Sequence, residues 1–190
     1  MSLLSLDRPG RARAAEPDSG PPPRARTRSL LTALVAVAVA LLPVRAWVAE
    51  PVHVPTGSMA PTIRPGEHVL VWKLGVDGAD VHRGDVVAFE RGGRLWVKRV
   101  VALPGDRIGL ADGRLVVNRH VVDEPYADPD RIDSVYFGPV TVPEGRLFVM
   151  GDDRRDSRDS RTFGAVPEDA VRGRVVAALW PLHEAGRAVR

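Results

Sequence analysis

Leu95-Trp96-Val97-Lys98-Arg99-Val100-Val101 is the stretch on which the fold turns. Aromatic and β-branched residues crowd it, as they do in pleated strands. Strand alternation places Lys98 with Trp96 and Val100 on one face, and Arg99 with Val97 and Val101 on the other. A lysine here is either a solvent-facing cation or a buried amine, and its two apolar companions favour burial. Burial would lower its pKa, because desolvation disfavours the charged form.

Working outward, similar short runs recur at His68–Lys73, Asp85–Phe89, Leu115–Val117, Leu147–Met150 and Arg174–Trp180. Turn signals separate them: Pro65-Gly66, Arg83-Gly84-Asp85, Pro104-Gly105-Asp106, Asp112-Gly113 and Pro143-Glu144-Gly145. Ile108 and Leu110 stand opposite Leu115 and Val117 across Asp112-Gly113, which reads as a hairpin. Helical periodicity is weak, with one candidate at Pro167–Val171, where Pro167 suits a first turn. From about residue 49 the chain therefore reads as a mainly β, mostly antiparallel domain of ordinary size.

The first 48 residues differ in kind. Residues 1–28 are rich in Arg, Pro, Ala, Ser and Gly, a composition too poor in apolar surface to fold, and read as a disordered tail. Their six arginines outnumber Asp7, Glu16 and Asp18 by three, which equals the net charge of the whole chain, +3. The remainder is balanced, which argues against nucleic acid as a partner. Leu30–Leu42 is nearly all Leu, Ala and Val, and the apolar stretch extends to Val48 across Pro43 and Arg45. Three readings fit this run: a single transmembrane helix over 29–48, with Arg45 and Trp47 at the interface; a cleavable export signal; and a buried helix of a soluble core.

The chain has no cysteine, which excludes disulfides, thiolate metal sites and a cysteine nucleophile. Lys73 and Lys98 are its only lysines. Pro55-Thr56-Gly57-Ser58-Met59-Ala60-Pro61-Thr62 places a Gly directly before a Ser after the extended Val52–Val54 run. It is either an ordinary turn or a turn that presents a hydroxyl beside backbone amides able to stabilise an oxyanion. If Lys98 is buried and neutral, its amine can act as a general base toward such a hydroxyl. A third segment, Gly151 to Gly164, is dense in charges and hydroxyls just after an apolar run. It is either a solvated loop with weak surface ion pairs or a polar support beneath a reactive site.

In this order the segments resemble type I signal peptidase, the membrane endopeptidase that removes signal peptides. The resemblance rests on Ser58-Met59 with Pro61-Thr62, Lys98-Arg99 followed by Pro104-Gly105-Asp106, Glu124-Pro125-Tyr126, and the block Gly151-Asp152, Arg154, Ser157, Asp159-Ser160-Arg161, Phe163-Gly164. It covers about residues 50–182 and implies an antiparallel β-sheet catalytic domain at 49–190, with a small inserted β subdomain at about 107–146. It favours the transmembrane anchor at 29–48, with the 1–28 tail cytoplasmic and the catalytic domain on the outer face of the cell membrane. It implies Ser58 as nucleophile, Lys98 as base, the Ser58 amide and Thr56 hydroxyl as oxyanion hole, Ser157 orienting the Lys98 amine, and an Asp159–Arg161 structural pair. Val52, Val54, Met59, Trp96 and Val97 are candidates for pockets taking small side chains one and three residues before the cut. The implied partners are signal peptides of exported preproteins and the lipid bilayer, with no metal or other cofactor. One departure is Asp153, where the family usually carries Asn. A second carboxylate near Lys98 would raise its pKa, so Asp153 is expected to face solvent or Arg154.

Three rivals stand beside this reading. A soluble self-cleaving Ser–Lys repressor would need a DNA-binding helix pair in residues 1–48, and none is evident. A membrane-tethered β-rich binding module would give Lys98 no special role. A Ser-His-Asp hydrolase fits poorly, because Ser58 lacks the Gly-x-Ser-x-Gly elbow and His53, His68 and His82 lie in no acid-paired motif.

Overall fold

The computed structural model describes residues 30, 32–40, 47–76, 78–127 and 136–189. The chain divides into two units, Met1–Leu41 and Leu42–Arg190. In the first, residues 32–40 are helical, with Leu34, Val35, Val37 and Val39 exposed. No helix among the described residues is long and apolar enough to cross a membrane. The expected tail at 1–28 and the Pro43–Arg45 boundary lie outside the described residues.

The second unit is built on antiparallel strands, as the alternating runs predict. A seven-stranded sheet contains β1 (Ala49–Val54), β2 (Glu67–Trp72), β3 (Val86–Arg91), β4 (Arg94–Ala102), β9 (Arg146–Met150), β10 (Val166–Pro167) and β11 (Val171–Trp180). Their spatial order is β1-β2-β11-β3-β4-β9-β10. A four-stranded sheet, ordered β7-β6-β5-β8, contains β5 (Arg107–Ala111), β6 (Arg114–Val117), β7 (His120–Val121) and β8 (Phe137–Thr141). The hairpin across Asp112-Gly113 forms with Ile108 opposite Val117 and Leu110 opposite Leu115. Both turn residues have positive φ, 48° and 73°, the backbone that an Asp-Gly pair adopts in a tight hairpin.

Side-chain alternation sorts the core into layers. On β3, Val86 and Ala88 join Val54, Met59, Ile63 and Val97 on one face, while Val87 and Phe89 join Val100, Leu147 and Val149 on the other. Both faces of this part of the sheet are covered, which is why β3 reads as an unbroken apolar run. β4 and β9 serve a third cluster as well. Val101, Ala102, Phe148 and Met150 pack against Ile108, Leu110, Leu115 and Val117 of the small sheet.

The helix expected at Pro167–Val171 is a single 3-10 turn, Glu168–Ala170. Pro167 ends β10 instead, and Val171 opens β11 in register with Phe89. Sheet pairing on both flanks outcompetes a helix of so few residues, for which nucleation alone is unfavourable. Because Phe148 is buried where the two sheets share a core, Phe148→Ala should destabilise the β unit by about 3–5 kcal/mol. Urea denaturation of the purified protein checks this.

Candidate active site

Ser58 lies in the connection from β1 to β2. The Gly66 amide donates to the Val54 carbonyl at 2.8 Å and closes that connection at its base. Within it, the Ile63 amide donates to the Met59 carbonyl at 2.8 Å. Met59 and Ile63 are fully buried in the core beside Val54 and Val97. Two apolar anchors thus fix the backbone that carries Ser58. The same burial corrects one expectation: Met59 is a core anchor and is not among the residues lining the groove described below.

Lys98 comes from the middle of β4 and is 3% exposed. Its Nζ stands 2.6 Å from Ser58 Oγ and 3.0 Å from the Val97 carbonyl oxygen. Burial lowers its pKa from 10.5 to about 8, against the opposing pull of Asp159 and Asp152. Thr56 Oγ1 lies 3.3 Å from Ser58 Oγ, on the same short turn.

Beneath this pair runs the segment after β9. A Cβ at Gly151 would fall 2.3 Å from the Ser58 carbonyl oxygen and 2.2 Å from Ser157 Oγ, so only glycine lets the segment approach so closely. The Asp153 amide donates to the same Ser58 oxygen at 3.2 Å. Ser157 Oγ is buried with no hydrogen-bond partner among the described residues. The bond from Ser157 to the Lys98 amine, expected from the family resemblance, is therefore not formed here.

Asp159 and Arg161 do pair, at 2.9 Å. Asp159 also accepts from the Gly151 amide at 3.1 Å and caps the short helix Ser160–Phe163 through the Arg161 amide. Asp153 does not face solvent. It is 4% exposed, and its Oδ1 accepts from the Arg155 and Asp156 amides at 3.2 Å each. Local backbone donors draw this carboxylate into its own loop, as Asp does in Asx-type turns. The carboxylates that raise the Lys98 pKa are Asp159 and Asp152.

Sequence reasoning missed the network around Arg99. This side chain is 1% exposed, with Nε and Nη2 on the two oxygens of Asp152 at 2.8 and 2.7 Å. Nη1 donates to the Gly84 carbonyl at 2.7 Å and Nη2 to Thr62 Oγ1 at 3.2 Å. Its position on a strand face with Val97 and Val101 was a usable signal, since a buried guanidinium must be paired.

A groove of about 430 Å³ opens in front of Ser58 and Lys98. Val52, Val54, Thr56, Trp96 and Val97 line it, with Arg94, Asp156 and Arg158 also on its wall. Among the described residues, the strands on its two sides have unpaired edges: β1 pairs only with β2, and Arg94–Lys98 of β4 only with β3, because β9 joins β4 from Arg99 onward. Among the described residues, no group of three or more His, Asp or Glu converges as a metal site.

The family described as "Signal peptidase, peptidase S26" matches residues 26–180. The chain belongs to that family. A Bacillus licheniformis protein named signal peptidase I is 37% identical over 162 residues, which cover 80% of this chain and 87% of that protein. A Synechocystis protein named probable signal peptidase I-2 is 31% identical over 174 residues, 87% of this chain and 78% of that one. A crystal structure of a signal peptidase I from Enterococcus faecalis is 31% identical, with TM-score 0.46, and covers 51% of this chain and 97% of that one. This chain is accordingly a serine peptidase, a hydrolase of peptide bonds.

Asp152→Asn leaves the Arg99 cation buried without its counter-charge and should cost about 3–5 kcal/mol. Replacing both partners, Arg99→Met with Asp152→Leu, should cost far less. Denaturant titration of the two variants checks the difference.

Proposed function

We propose that this protein is a membrane-anchored signal peptidase that cuts exported preproteins after small residues, with Ser58 as nucleophile and Lys98 as general base. The observation that carries the reading is the 2.6 Å contact between Lys98 Nζ and Ser58 Oγ in a buried setting. A neutral amine there accepts the Ser58 proton as Oγ attacks the scissile carbonyl. The oxyanion that forms meets the Ser58 amide and the Thr56 hydroxyl. Lys98 then returns the proton to the leaving amine, and an ester links the substrate to Ser58. Water, deprotonated in turn by Lys98, hydrolyses that ester and frees the enzyme. In this reading Ser157 holds the amine as the lysine changes charge, a role supported by its buried hydroxyl having no partner among the described residues. Asp159 and Arg161 keep the supporting segment in shape.

The substrate is an extended peptide that adds as a strand between the free edges of β1 and β4. Main-chain hydrogen bonds supply the binding, and alternate side chains supply the selectivity. Val52, Val54, Trp96 and Val97 wall a shallow space, which suits small side chains at the first and third residues before the cut.

The bilayer anchor is residues 29–48, with tail 1–28 inside and the catalytic domain 49–190, including its small β subdomain, outside. The basic excess in the tail supports this orientation. So does Trp47, 75% exposed just before β1, since exposed tryptophan suits a membrane interface.

Detergent-solubilised protein with lipid should cut a preprotein bearing an Ala-x-Ala site after the final Ala. Ser58→Ala and Lys98→Ala should each lower kcat at least about a thousandfold. The base works only as free amine, so with the Lys98 pKa at about 8, kcat/KM should fall about tenfold per pH unit below that value and level off above it. Robust cleavage by folded Lys98→Ala protein, or a profile flat between pH 6 and 9, contradicts the mechanism.

A further inference from the structure

Glu124-Pro125-Tyr126 leaves the small sheet after β7, where the Val122 amide donates to the Leu115 carbonyl at 2.9 Å. The Ala127 amide returns to the Glu124 carbonyl at 3.0 Å, so the three residues form a turn. The Tyr126 and Glu124 side chains each meet a buried arginine, one on β4 and the other in the segment after β9.

The first is Arg99, the residue after Lys98 on β4. Four of its in-plane N–H donors go to Asp152, Gly84 and Thr62, and the Tyr126 ring covers its face with Cζ 3.9 Å from the ring centroid. The second is Arg154, 4% exposed, whose Nε donates to the Gly151 carbonyl at 3.0 Å. Its two remaining nitrogens grip both oxygens of Glu124, Nη1 at 2.8 Å and Nη2 closer still. Tyr126 OH donates to Glu124 at 3.0 Å and joins the two arms. Burial, and then Glu124, push the phenol well above its ordinary pKa, so it remains a donor at any working pH.

One turn from another sheet thus ends on both halves of the reactive pair. One arm runs through Arg99 to the strand position beside Lys98. The other runs through Arg154 to Gly151, the residue packed against the Ser58 carbonyl. Arg99, Arg154, Asp152 and Glu124 balance to zero charge, which a buried set needs. A proton transfer across 2.6 Å is sensitive to sub-ångström registration, and a displacement of about 1 Å can cost about a hundredfold in rate.

We infer that Glu124 and Tyr126 are positioning residues for catalysis, a brace by which the small sheet holds the Lys98 strand and the Ser58 turn in reacting register. The inference rests on the Ser58–Lys98 reading above.

The test is steady-state cleavage of an Ala-x-Ala peptide by the full chain in detergent, normalised to folded protein and set beside thermal melts. Tyr126→Leu and Glu124→Gln should each lower kcat about 30- to 100-fold with KM within about threefold of wild type. Tyr126→Phe keeps the ring on Arg99 and should lose less than about tenfold. Should a single variant fail to fold, Glu124→Leu with Arg154→Leu removes both buried charges and favours a folded protein. That double variant should still show the kcat loss, because Gly151 has lost its arginine. Wild-type kcat in folded variants, with only the melting temperature lowered, overturns the brace and leaves a purely structural contact. Ser58→Ala separates the two ideas: its inactivity beside wild-type kcat in the brace variants overturns the brace alone, whereas activity in Ser58→Ala overturns the reading beneath it.

Discussion

A lysine amine can serve as a base near neutral pH only if it is taken out of water, and the rest of this fold follows from that constraint. Lys98 is 3% exposed because β4 is flanked by β3 along its length and covered on both faces by core side chains. Desolvation outweighs the two carboxylates that would stabilise the ammonium, Asp159 and Asp152. A groove that opened to water would restore the ordinary lysine pKa and leave little free amine at neutral pH. In the proposed binding mode, a peptide lying along the edges of β1 and β4 would also shield the amine it meets.

Keeping an amine dry places charges in the interior, and the fold satisfies them in pairs. Asp152 would be an unshielded anion near Lys98 without its two bonds from Arg99. Asp159 is spread over Arg161, the Gly151 amide and the helix it caps. Each carboxylate thereby spends its charge on a guanidinium or amide and pulls less on the lysine proton. The same pairing fixes the segment from Gly151 to Arg161 against Ser58. The electrostatics and the geometry of the site thus have one structural cause.

Much of this was legible in the sequence, for physical reasons that differ by element. β4 was readable because its apolar run is long and β-branched, and the β5–β6 hairpin because Asp-Gly encodes its turn. The placement of Ser58 against Lys98 comes from motif order and not from periodicity, since Ser58 lies in the β1–β2 connection and Lys98 on β4. β8 escaped notice because Gly138 and Pro139 interrupt its pattern, which is tolerable at the edge of the small sheet. β10 was mistaken for a helix start, since a two-residue strand has no period of its own. Met59 reads as a groove residue because it follows Ser58, but neighbouring residues in a turn can point in opposite directions. The roles of Arg99, Glu124 and Tyr126 depend on contacts between segments far apart in the chain, and no local pattern records those.

The central claim is that Lys98 holds a free amine at working pH, and the chain is well suited to a direct reading because its only other lysine is Lys73. Lysine labelled with 15N at Nζ and 13C at Cε would give two side-chain signals, assigned with Lys73→Arg protein and followed by NMR from pH 6 to 11. The account predicts a Lys98 midpoint near 8, lost in Lys98→Ala protein. A Lys98 signal that stays fully protonated to pH 10 would show a charged amine at the working pH and contradict it.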